Sequence, residues 1–181
     1  RIITGYSPFV RADEPTIFDE LCARSPMIFF YDSMIDADTG ALFDPDPARD
    51  WGFRHCWGLN FSAPLDLIRE IGAFTAFDGQ YGYDDIEIAW RLKRSFGCPV
   101  LFRPTARADH DHRYTPSEVL HREFRLGISA WLFAEREPEF ARDLFRREIR
   151  SDDELAYSRA FVEREAPAVS RLTRTFLKLD A

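Results

Sequence analysis

Residues 79–113 carry the clearest structural signal of the chain, and they read GQYGYDDIEIAWRLKRSFGCPVLFRPTARADHDHR. Behind two acidic residues, apolar side chains recur at steps of three and four, which predicts a helix over residues 84–94. A short apolar run then predicts a strand over residues 97–103 that is ended by Pro104. A helix that leads directly into a strand indicates the α/β class.

The residues before this stretch alternate between short extended and short helical patterns. We predict strands over residues 1–6 and 27–31, helices over 15–23 and 64–71, a loop or weak hairpin over 39–50, and a partly extended segment over 55–62. Asp13 is the predicted cap of the first helix. The second helix begins with Pro64 and stops at Gly72, where glycine can adopt the left-handed conformation.

Residues 114–181 have a helical pattern throughout. Residues 115–118, Thr-Pro-Ser-Glu, combine an N-cap, a first-turn proline and a capping-box glutamate, and this predicts a long helix to about Glu137. Its apolar residues recur at helical steps: Leu120, Phe124, Ile128 and Trp131. Pro138 opens a second helix, Asp152 or Asp153 a third, and residues 169–179 carry a fourth apolar stripe. The chain is therefore predicted to consist of an α/β part, residues 1–113, and a helical extension, residues 114–181.

The composition is that of an ordinary globular protein, with 45% hydrophobic and 30% charged residues. The formal charge is −7, and residues 1–113 hold most of it, with 12 basic and 18 acidic side chains. This acidic balance disfavours nucleic-acid binding. Three cysteines are too few for a disulfide scaffold, and no apolar run approaches the roughly 18 residues of a membrane span. We predict a cytoplasmic protein, in which the basic segment over residues 171–178 is a solvated helix face rather than a membrane contact.

An acidic pair, Asp84 and Asp85, opens the predicted helix over residues 84–94. The helix dipole and the free N–H groups of the first turn favour charged carboxylates at this position. Asp84 can be an N-cap that forms a capping box with Glu87, and Asp85 can be a surface acid that complements the dipole. A catalytic base is the other interpretation of Asp85, and spacing alone favours the structural interpretations.

A second polar cluster, Ala-Asp-His-Asp-His, occupies residues 108–112 after the predicted strand. Imidazole and carboxylate both bind divalent metal ions, so the cluster is a candidate metal site. A polar loop with solvated histidines explains the same residues equally well. The residues alone leave both interpretations open.

The order of motifs between residues 50 and 113 resembles a known family. The set comprises residues 57–62 (WGLNFS), a helix ending at Gly72, residues 72–74 (GAF), the acidic pair after an aromatic-glycine turn, Arg91-Leu92, the strand to Pro104, and His110. It resembles the C-terminal half of GT-A fold glycosyltransferases, especially the inverting family 2 and the related galactosyltransferase C-terminal region. The resemblance covers residues 1–50 only loosely, and the family usually has Glu where this chain has Asp84.

The resemblance implies a reaction and a set of site residues. Asp85 takes the place of the catalytic base, which deprotonates an acceptor hydroxyl for inverting attack on a nucleotide-activated sugar. His110 takes the place of a ligand to Mn²⁺ or Mg²⁺, with His112 as the alternative, and the ion would neutralise the leaving diphosphate. The predicted acceptor or sugar contacts are Asp84, Tyr81, Tyr83, Gly58 and Asn60. The implied partners are a nucleotide-sugar donor and a carbohydrate or other hydroxyl acceptor.

The family's nucleotide-binding half, with its Asp-x-Asp motif, has no clear counterpart in this sequence. Three strings have that shape, at residues 36–38, 44–46 and 109–111, and the first begins only 22 residues before Gly58, too close for the family order. The chain starts with Arg1 inside an apolar segment, and we expect a fragment whose missing N-terminal half binds the nucleotide. Alone, it is predicted to be an inactive hexosyltransferase-type glycosyltransferase.

Two other functions remain open. One is a non-catalytic interaction module derived from a glycosyltransferase half-domain, whose helical extension docks a partner. The other is a metal-dependent hydrolase that uses Asp84, Asp85, His110 and His112, although no Gly-x-Ser-x-Gly or His-Glu-x-x-His motif occurs. The glycosyltransferase interpretation requires Asp85 and His110 to converge on a shared cleft.

Overall fold

The computed structural model describes residues 1–10, 12–25, 28, 31–36, 39, 41–75 and 81–179. Within these ranges the chain is a mixed α/β protein, which confirms the predicted class. Its elements are β1 (Ile2–Tyr6), α1 (Ile17–Arg24), β2 (Phe61–Ser62), α2 (Leu65–Glu70), α3 (Asp84–Phe96), β3 (Val100–Arg107), α4 (Pro116–Arg136), α5 (Pro138–Phe145) and α6 (Asp152–Phe176).

The chain divides into two compact units. The first comprises Arg1–Asp78 and Asp84–Arg113 and contains the sheet with α1, α2 and α3. The second comprises Gly79–Tyr83 and Tyr114–Ala181 and contains α4, α5 and α6. Residues 81–83, directly before α3, therefore belong to the helical unit.

The sheet of the first unit has the strand order β2-β1-β3. β1 is parallel to β3, with Ile2 opposite Val100, and antiparallel to β2, with Thr4 opposite Phe61. The prediction that Pro104 ends the third strand is wrong, because β3 continues to Arg107. Instead the register shifts there: Gly5 lies opposite Arg103, whereas Tyr6 lies opposite Arg107. A proline has no N–H to donate, so an irregularity of the ladder is a position that tolerates it.

Asn60 fastens the strands together beside this irregularity. Its backbone oxygen accepts the N–H of Gly5 at 2.8 Å, and its side-chain Nδ2 donates to the carbonyl of Ala106 at 2.8 Å. A Cβ at position 5 would lie 2.2 Å from the oxygen of Ala106. Glycine is therefore required at position 5 because the backbones approach so closely.

Among the residues that the structure describes, the core of the first unit contains two hydrophobic clusters. One joins the buried face of α3 to the sheet: Ile2, Cys56, Ile88, Ala89, Leu92, Cys98 and Val100. The other surrounds the Trp57 turn: Tyr31, Met34, Ile35, Trp57 and Phe102. Tyr31 begins a short 3₁₀ turn, Tyr31–Ser33, whereas residues 27, 29 and 30 of the predicted strand over 27–31 lie outside the described residues.

The N-terminal caps of two helices can be compared with the sequence predictions, one of which is confirmed and the other wrong. α4 has the predicted capping box: Thr115 Oγ1 accepts the N–H of Glu118 at 3.2 Å, and Glu118 Oε2 accepts the N–H of Thr115 at 2.8 Å. α1 is capped by Thr16, with Asp19 closing a second box, and not by Asp13. Thr16 is the cap because it directly precedes the helix, so that its hydroxyl reaches the N–H of Asp19, the third residue of the helix.

The buried face of α4 differs from the apolar stripe that indicated the helix. Val119, Phe133 and Ala134 are buried, whereas Phe124 and Ile128 of the stripe are 68% and 44% exposed. α6 is one helix that continues through Pro167, and none of its side chains, all of which are described, is buried. Within the described residues, no helix combines the length and apolar composition that a bilayer crossing needs.

Candidate functional site: the Asp85 carboxylate

Asp85 lies in the first turn of α3, where its carboxylate receives two backbone hydrogen bonds. Oδ2 accepts the N–H of Gly58 at 2.5 Å, and Oδ1 accepts the N–H of Ile86 at 2.8 Å. First-turn N–H groups of a helix have no intrahelical acceptor, so a carboxylate there satisfies one of them. The Asp85 side chain is therefore fixed between the helix and the turn that carries Gly58.

The pKa of Asp85 is raised above the ordinary aspartate value. Burial is the main cause, the N–H donors of Gly58 and Ile86 oppose it, and the neighbouring charge of Asp84 adds to it. No cationic side chain among the described residues pairs with this carboxylate. A carboxylate with a raised pKa binds a proton more tightly than free aspartate does, which suits a general base.

Gly58 lets the backbone approach this carboxylate. A Cβ at position 58 would lie 3.3 Å from Asp85 Oδ2, tighter than ordinary van der Waals contact. Trp57 supports the turn, because its ring packs edge-on against Tyr31 at 4.8 Å and against His55 at 5.7 Å. Gly58 and Asp85, both predicted site residues, are in direct contact.

Asn60 follows two residues later, but its side-chain amide is already bonded to the carbonyl of Ala106. Of the remaining predicted contacts, Asp84 is exposed at the start of α3. Glu87 does not form the capping box that was one interpretation of Asp84. It is 1% exposed and pairs with Arg91 instead.

The Glu87–Arg91 pair is a feature that the sequence analysis did not identify. Arg91 Nε donates to Glu87 Oε1 at 2.5 Å and its Nη2 donates to Oε2 at 2.9 Å. The same guanidinium donates to the carbonyls of Ile71 and Ala73 at 2.7 Å each. The pair therefore anchors the turn after α2 to α3, and the four-residue spacing of opposite charges was the signal for it.

Tyr81 and Tyr83 belong to the helical unit, and their side chains make contacts within it. The hydroxyl of Tyr81 accepts a hydrogen bond from Arg122 Nε at 3.3 Å. Tyr83 packs edge-on against Phe133 and Phe145, each at 5.7 Å. Burial raises the pKa of Tyr83, and the charge of Glu123 adds to the effect while Arg122 opposes it.

The His110 segment runs beside the end of β1. His110 donates its backbone N–H to Pro8 at 2.8 Å, and its ring lies edge-on to Phe9 at 5.3 Å and 5.9 Å from the ring of His112. Burial lowers the pKa of His110, the charge of His112 lowers it further and Asp111 opposes both. The lowered pKa favours the neutral imidazole, which is the form that ligates metals.

The donor set for the implied metal is incomplete within the described residues. There, no three or more His, Cys, Asp or Glu side chains are grouped so that they could hold an ion. The carboxylate of Asp109, which flanks the histidine, accepts from Arg107 Nε at 2.6 Å. His110 could supply one ligand, with His112 as the alternative, and the other ligands would have to come from elsewhere.

Asp50 is another hydrogen-bonded carboxylate of the first unit, and the sequence analysis did not identify it. Its Oδ1 accepts the N–H groups of Gly52 and Val100 at 2.9 Å each, and its Oδ2 accepts from Lys93 Nζ at 2.9 Å. Partial burial acts to raise the pKa, but Lys93, followed by the two N–H donors, lowers it overall. Asp50 thus ties the start of β3 to α3.

Comparisons with known proteins add nothing to this geometry: no family model, no curated protein and no solved structure matches the chain.

The structure brings Asp85 and Gly58 together and puts Asn60 on the same turn. It assigns Tyr81 and Tyr83 to the other unit.

Proposed function

We propose that the chain is the acceptor-binding and catalytic part of an inverting GT-A glycosyltransferase, with Asp85 as its general base. The proposal rests on one observation, the surroundings of the Asp85 carboxylate and their effect on its pKa. It is held by two backbone N–H groups, it is close to the glycine turn over residues 57–60, and burial raises its pKa. The ordered motifs of residues 50–113, with their resemblance to this family, supply the reaction class.

The proposed step moves one proton and exchanges one bond. A carboxylate oxygen of Asp85 takes the proton of an acceptor hydroxyl, since each oxygen keeps a free lone pair beside its hydrogen bond. The acceptor oxygen bonds to the anomeric carbon of the donor from the side opposite the diphosphate. The bond from that carbon to the diphosphate oxygen breaks, and the nucleotide diphosphate leaves with its electron pair, which inverts the configuration.

The raised pKa predicts the pH dependence of this step. Asp85 acts as a base only when it is ionised, so kcat/KM falls as the pH drops through its pKa. Because the pKa is raised, that acid limb lies above the ordinary aspartate range of about 4. An acid limb at or below that range would contradict the assignment.

A bound divalent ion would neutralise the charge of the departing diphosphate. Of the described residues, only His110 or its alternative His112 is proposed as a ligand, and the proposal requires this imidazole and the Asp85 carboxylate to lie in one cleft. The donor half of the domain is proposed to precede residue 1, on the strength of the resemblance. Three free, buried cysteines favour the cytoplasm as the location.

One observation favours the alternative, a non-catalytic interaction module. The helices of the second unit expose several large apolar side chains, among them Phe124 on α4 and Val162 and Leu172 on α6. Exposed apolar surface of this kind is typical of interaction sites.

The test is a transfer assay on the full-length protein, with a panel of nucleotide-sugar donors and hydroxyl acceptors. We expect saturable transfer, and we expect Asp85→Asn to reduce kcat by about 10²–10⁴-fold while the fold is retained. Asp50→Asn is the matched control, because it changes a carboxylate with similar backbone partners, and it should retain most of the transfer rate. No transfer with any donor would favour the interaction module, and transfer unaffected by Asp85→Asn would exclude Asp85 as the base.

A further inference from the structure

The helix α6 of the second unit is long but has little support along its length. None of its side chains is buried, and among the described residues it has no extended contact with α4 or α5. An ion pair between Arg147 and Glu154, at 3.1 Å, holds its first turn. Most helices gain their stability from the packing of one apolar face, and Pro167 inside α6 weakens this helix further. A surface that covers one side of α6 would therefore stabilise it.

Residues 166–179, here called the terminal segment, comprise the last part of α6 and the turn that follows it. Their apolar residues Val169, Leu172 and Phe176 are separated by three and four positions and therefore lie on one side of the helix. Val169 is 53% exposed, Leu172 is 62% exposed, and Leu177 in the turn is 46% exposed. The chain thus leaves a row of large apolar side chains in contact with solvent, where they gain nothing from the hydrophobic effect.

A row of basic side chains runs along the opposite side of the terminal segment. Arg171, Arg174 and Lys178 each follow a residue of the apolar row by two positions, which is about 200° around an α-helix. Lys178 continues the helical winding, since its N–H donates to the carbonyl of Thr175 at 3.1 Å. All 31 acidic residues of the chain lie outside the terminal segment. The segment is therefore a local cationic patch on an acidic protein.

An apolar row and a basic row on opposite sides are typical of a helix that lies in the plane of a membrane surface. The apolar side of such a helix enters the boundary between head groups and acyl chains, and its basic residues bind anionic head groups. A second copy of the chain packed on the apolar row would leave the basic row on the far side, where it contributes nothing to the contact. An anionic bilayer uses both rows.

We propose that the terminal segment binds the surface of an anionic phospholipid bilayer, with its apolar row among the acyl chains and its basic row at the phosphate groups. The sequence alone favoured a solvated face for residues 171–178, because a pattern does not show whether an apolar row is covered. The exposure of Val169, Leu172 and Leu177 is what favours the bilayer. This binding needs no transfer reaction and no contribution from Asp85, so it succeeds or fails independently of the proposed activity.

The experiment is co-sedimentation of the protein with two kinds of vesicle, phosphatidylcholine alone and equal parts of phosphatidylcholine and phosphatidylglycerol. We expect binding to the mixed vesicles, weakened by added salt because salt screens the attraction between charges, and little binding to phosphatidylcholine alone. Arg174→Gln should weaken binding to the mixed vesicles about fivefold, the effect of one cation near an anionic surface. Leu172→Asn should weaken it about tenfold, because a leucine no longer leaves water for the bilayer.

Each variant has a matched control on α2 of the first unit. Arg69→Gln changes the net charge by the same amount at another exposed arginine, and Leu65→Asn replaces a leucine that is 57% exposed. Neither control should change the binding. All four side chains are exposed, so the variants should keep their fold, which circular dichroism checks.

Three outcomes of the sedimentation experiment would overturn the proposal: no binding to the mixed vesicles, equal binding to both kinds of vesicle, or equal weakening by the variants and their controls. Self-association of the protein in place of vesicle binding would also overturn it. Sedimentation equilibrium measures that association, and its loss in Leu172→Asn but not in Arg174→Gln would assign the apolar row to a second copy of the chain.

Discussion

Asp50 and Asp85 are two carboxylates of the same unit that differ in one kind of partner. Each accepts two backbone N–H groups, Gly52 and Val100 for Asp50, and Gly58 and Ile86 for Asp85. Asp50 also receives the ammonium of Lys93, and its pKa is lowered. Asp85 is more deeply buried, has no cationic partner among the described residues, and its pKa is raised.

The difference separates a structural carboxylate from one that can react. A paired carboxylate holds its charge and ties elements together, whereas a half-buried carboxylate without a cation, such as Asp85, is poised to accept a proton. Glu87 extends the comparison, because it is the most buried of the three and is fully paired with Arg91. Burial alone therefore does not make a base in this unit.

The largest expected effect comes from removing the cation of the most buried carboxylate. Arg91→Leu leaves the buried Glu87 side chain without its cation, and it also removes the donor of the Ile71 and Ala73 carbonyls. We expect it to lower the free energy of unfolding by about 3–5 kcal/mol, measured by urea denaturation. A cost below about 1 kcal/mol would mean that the Glu87–Arg91 pair does not hold the turn after α2. Glu87 could then not serve as the paired carboxylate in the comparison with Asp85.

Gly58→Ala tests how closely the position of Asp85 is set. The new Cβ would press on Asp85 Oδ2 at 3.3 Å and shift the carboxylate by a few tenths of an ångström. Because proton transfer depends on position, we expect kcat in the proposed transfer assay to fall about tenfold. Gly127→Ala is the control: its Cβ would meet nothing within 4 Å, so kcat should not change. Equal rates for the two variants would argue against Asp85 as the base.

Asparagine replacement should cost less stability at Asp85 than at Asp50. An amide keeps only one acceptor oxygen, so Asp85→Asn loses the bond from Gly58 or the bond from Ile86. It also removes the ionised form, which the raised pKa of Asp85 makes costly in the folded state, and this gain offsets part of the loss. Asp50→Asn loses the charge-assisted bond to Lys93 without such a gain and should destabilise the protein by about 1 kcal/mol. Urea unfolding at pH 7 measures both, and a larger loss in Asp85→Asn than in Asp50→Asn would break the comparison.

The smallest effect is expected from the partly exposed pair of Asp50 and Lys93. Lys93→Met should cost only about 0.5 kcal/mol at pH 7, because solvent screens the pair. A lowered pKa gives stability above the unfolded value, about 3.9, and this stability is lost as the pH falls through the folded value. The cost of Lys93→Met should therefore vanish in acid; a cost that persists there would point to lost packing instead of lost charge.

Local signals predicted the helices better than the contacts of the site. The Thr115–Glu118 capping box and the acidic start of α3 specify those helices from adjacent residues alone, and both helices are confirmed. The bond from Asn60 to Ala106 and the bond from Gly58 to Asp85 join residues 46 and 27 positions apart. No local pattern encodes such pairings, since the packing of the sheet decides them.

Two further features could not be predicted from the sequence, because tertiary structure decides them. A cavity at the end of β1 combines residues near positions 7, 25 and 107, which the sequence does not bring together. The exposed side of α4 carries the apolar stripe, because the helix packs through Val119 and Phe133 instead. Periodicity therefore identified the helix but not its buried face.

The most direct test is to measure the pKa values of Asp85 and Asp50 in one titration of the chain, followed by NMR at their carboxyl carbons. We predict that Asp85 titrates above the ordinary aspartate value of about 3.9 and Asp50 below it. In Lys93→Met the value of Asp50 should rise while that of Asp85 stays unchanged. An Asp85 that titrates at or below the ordinary value would contradict its assignment as a general base.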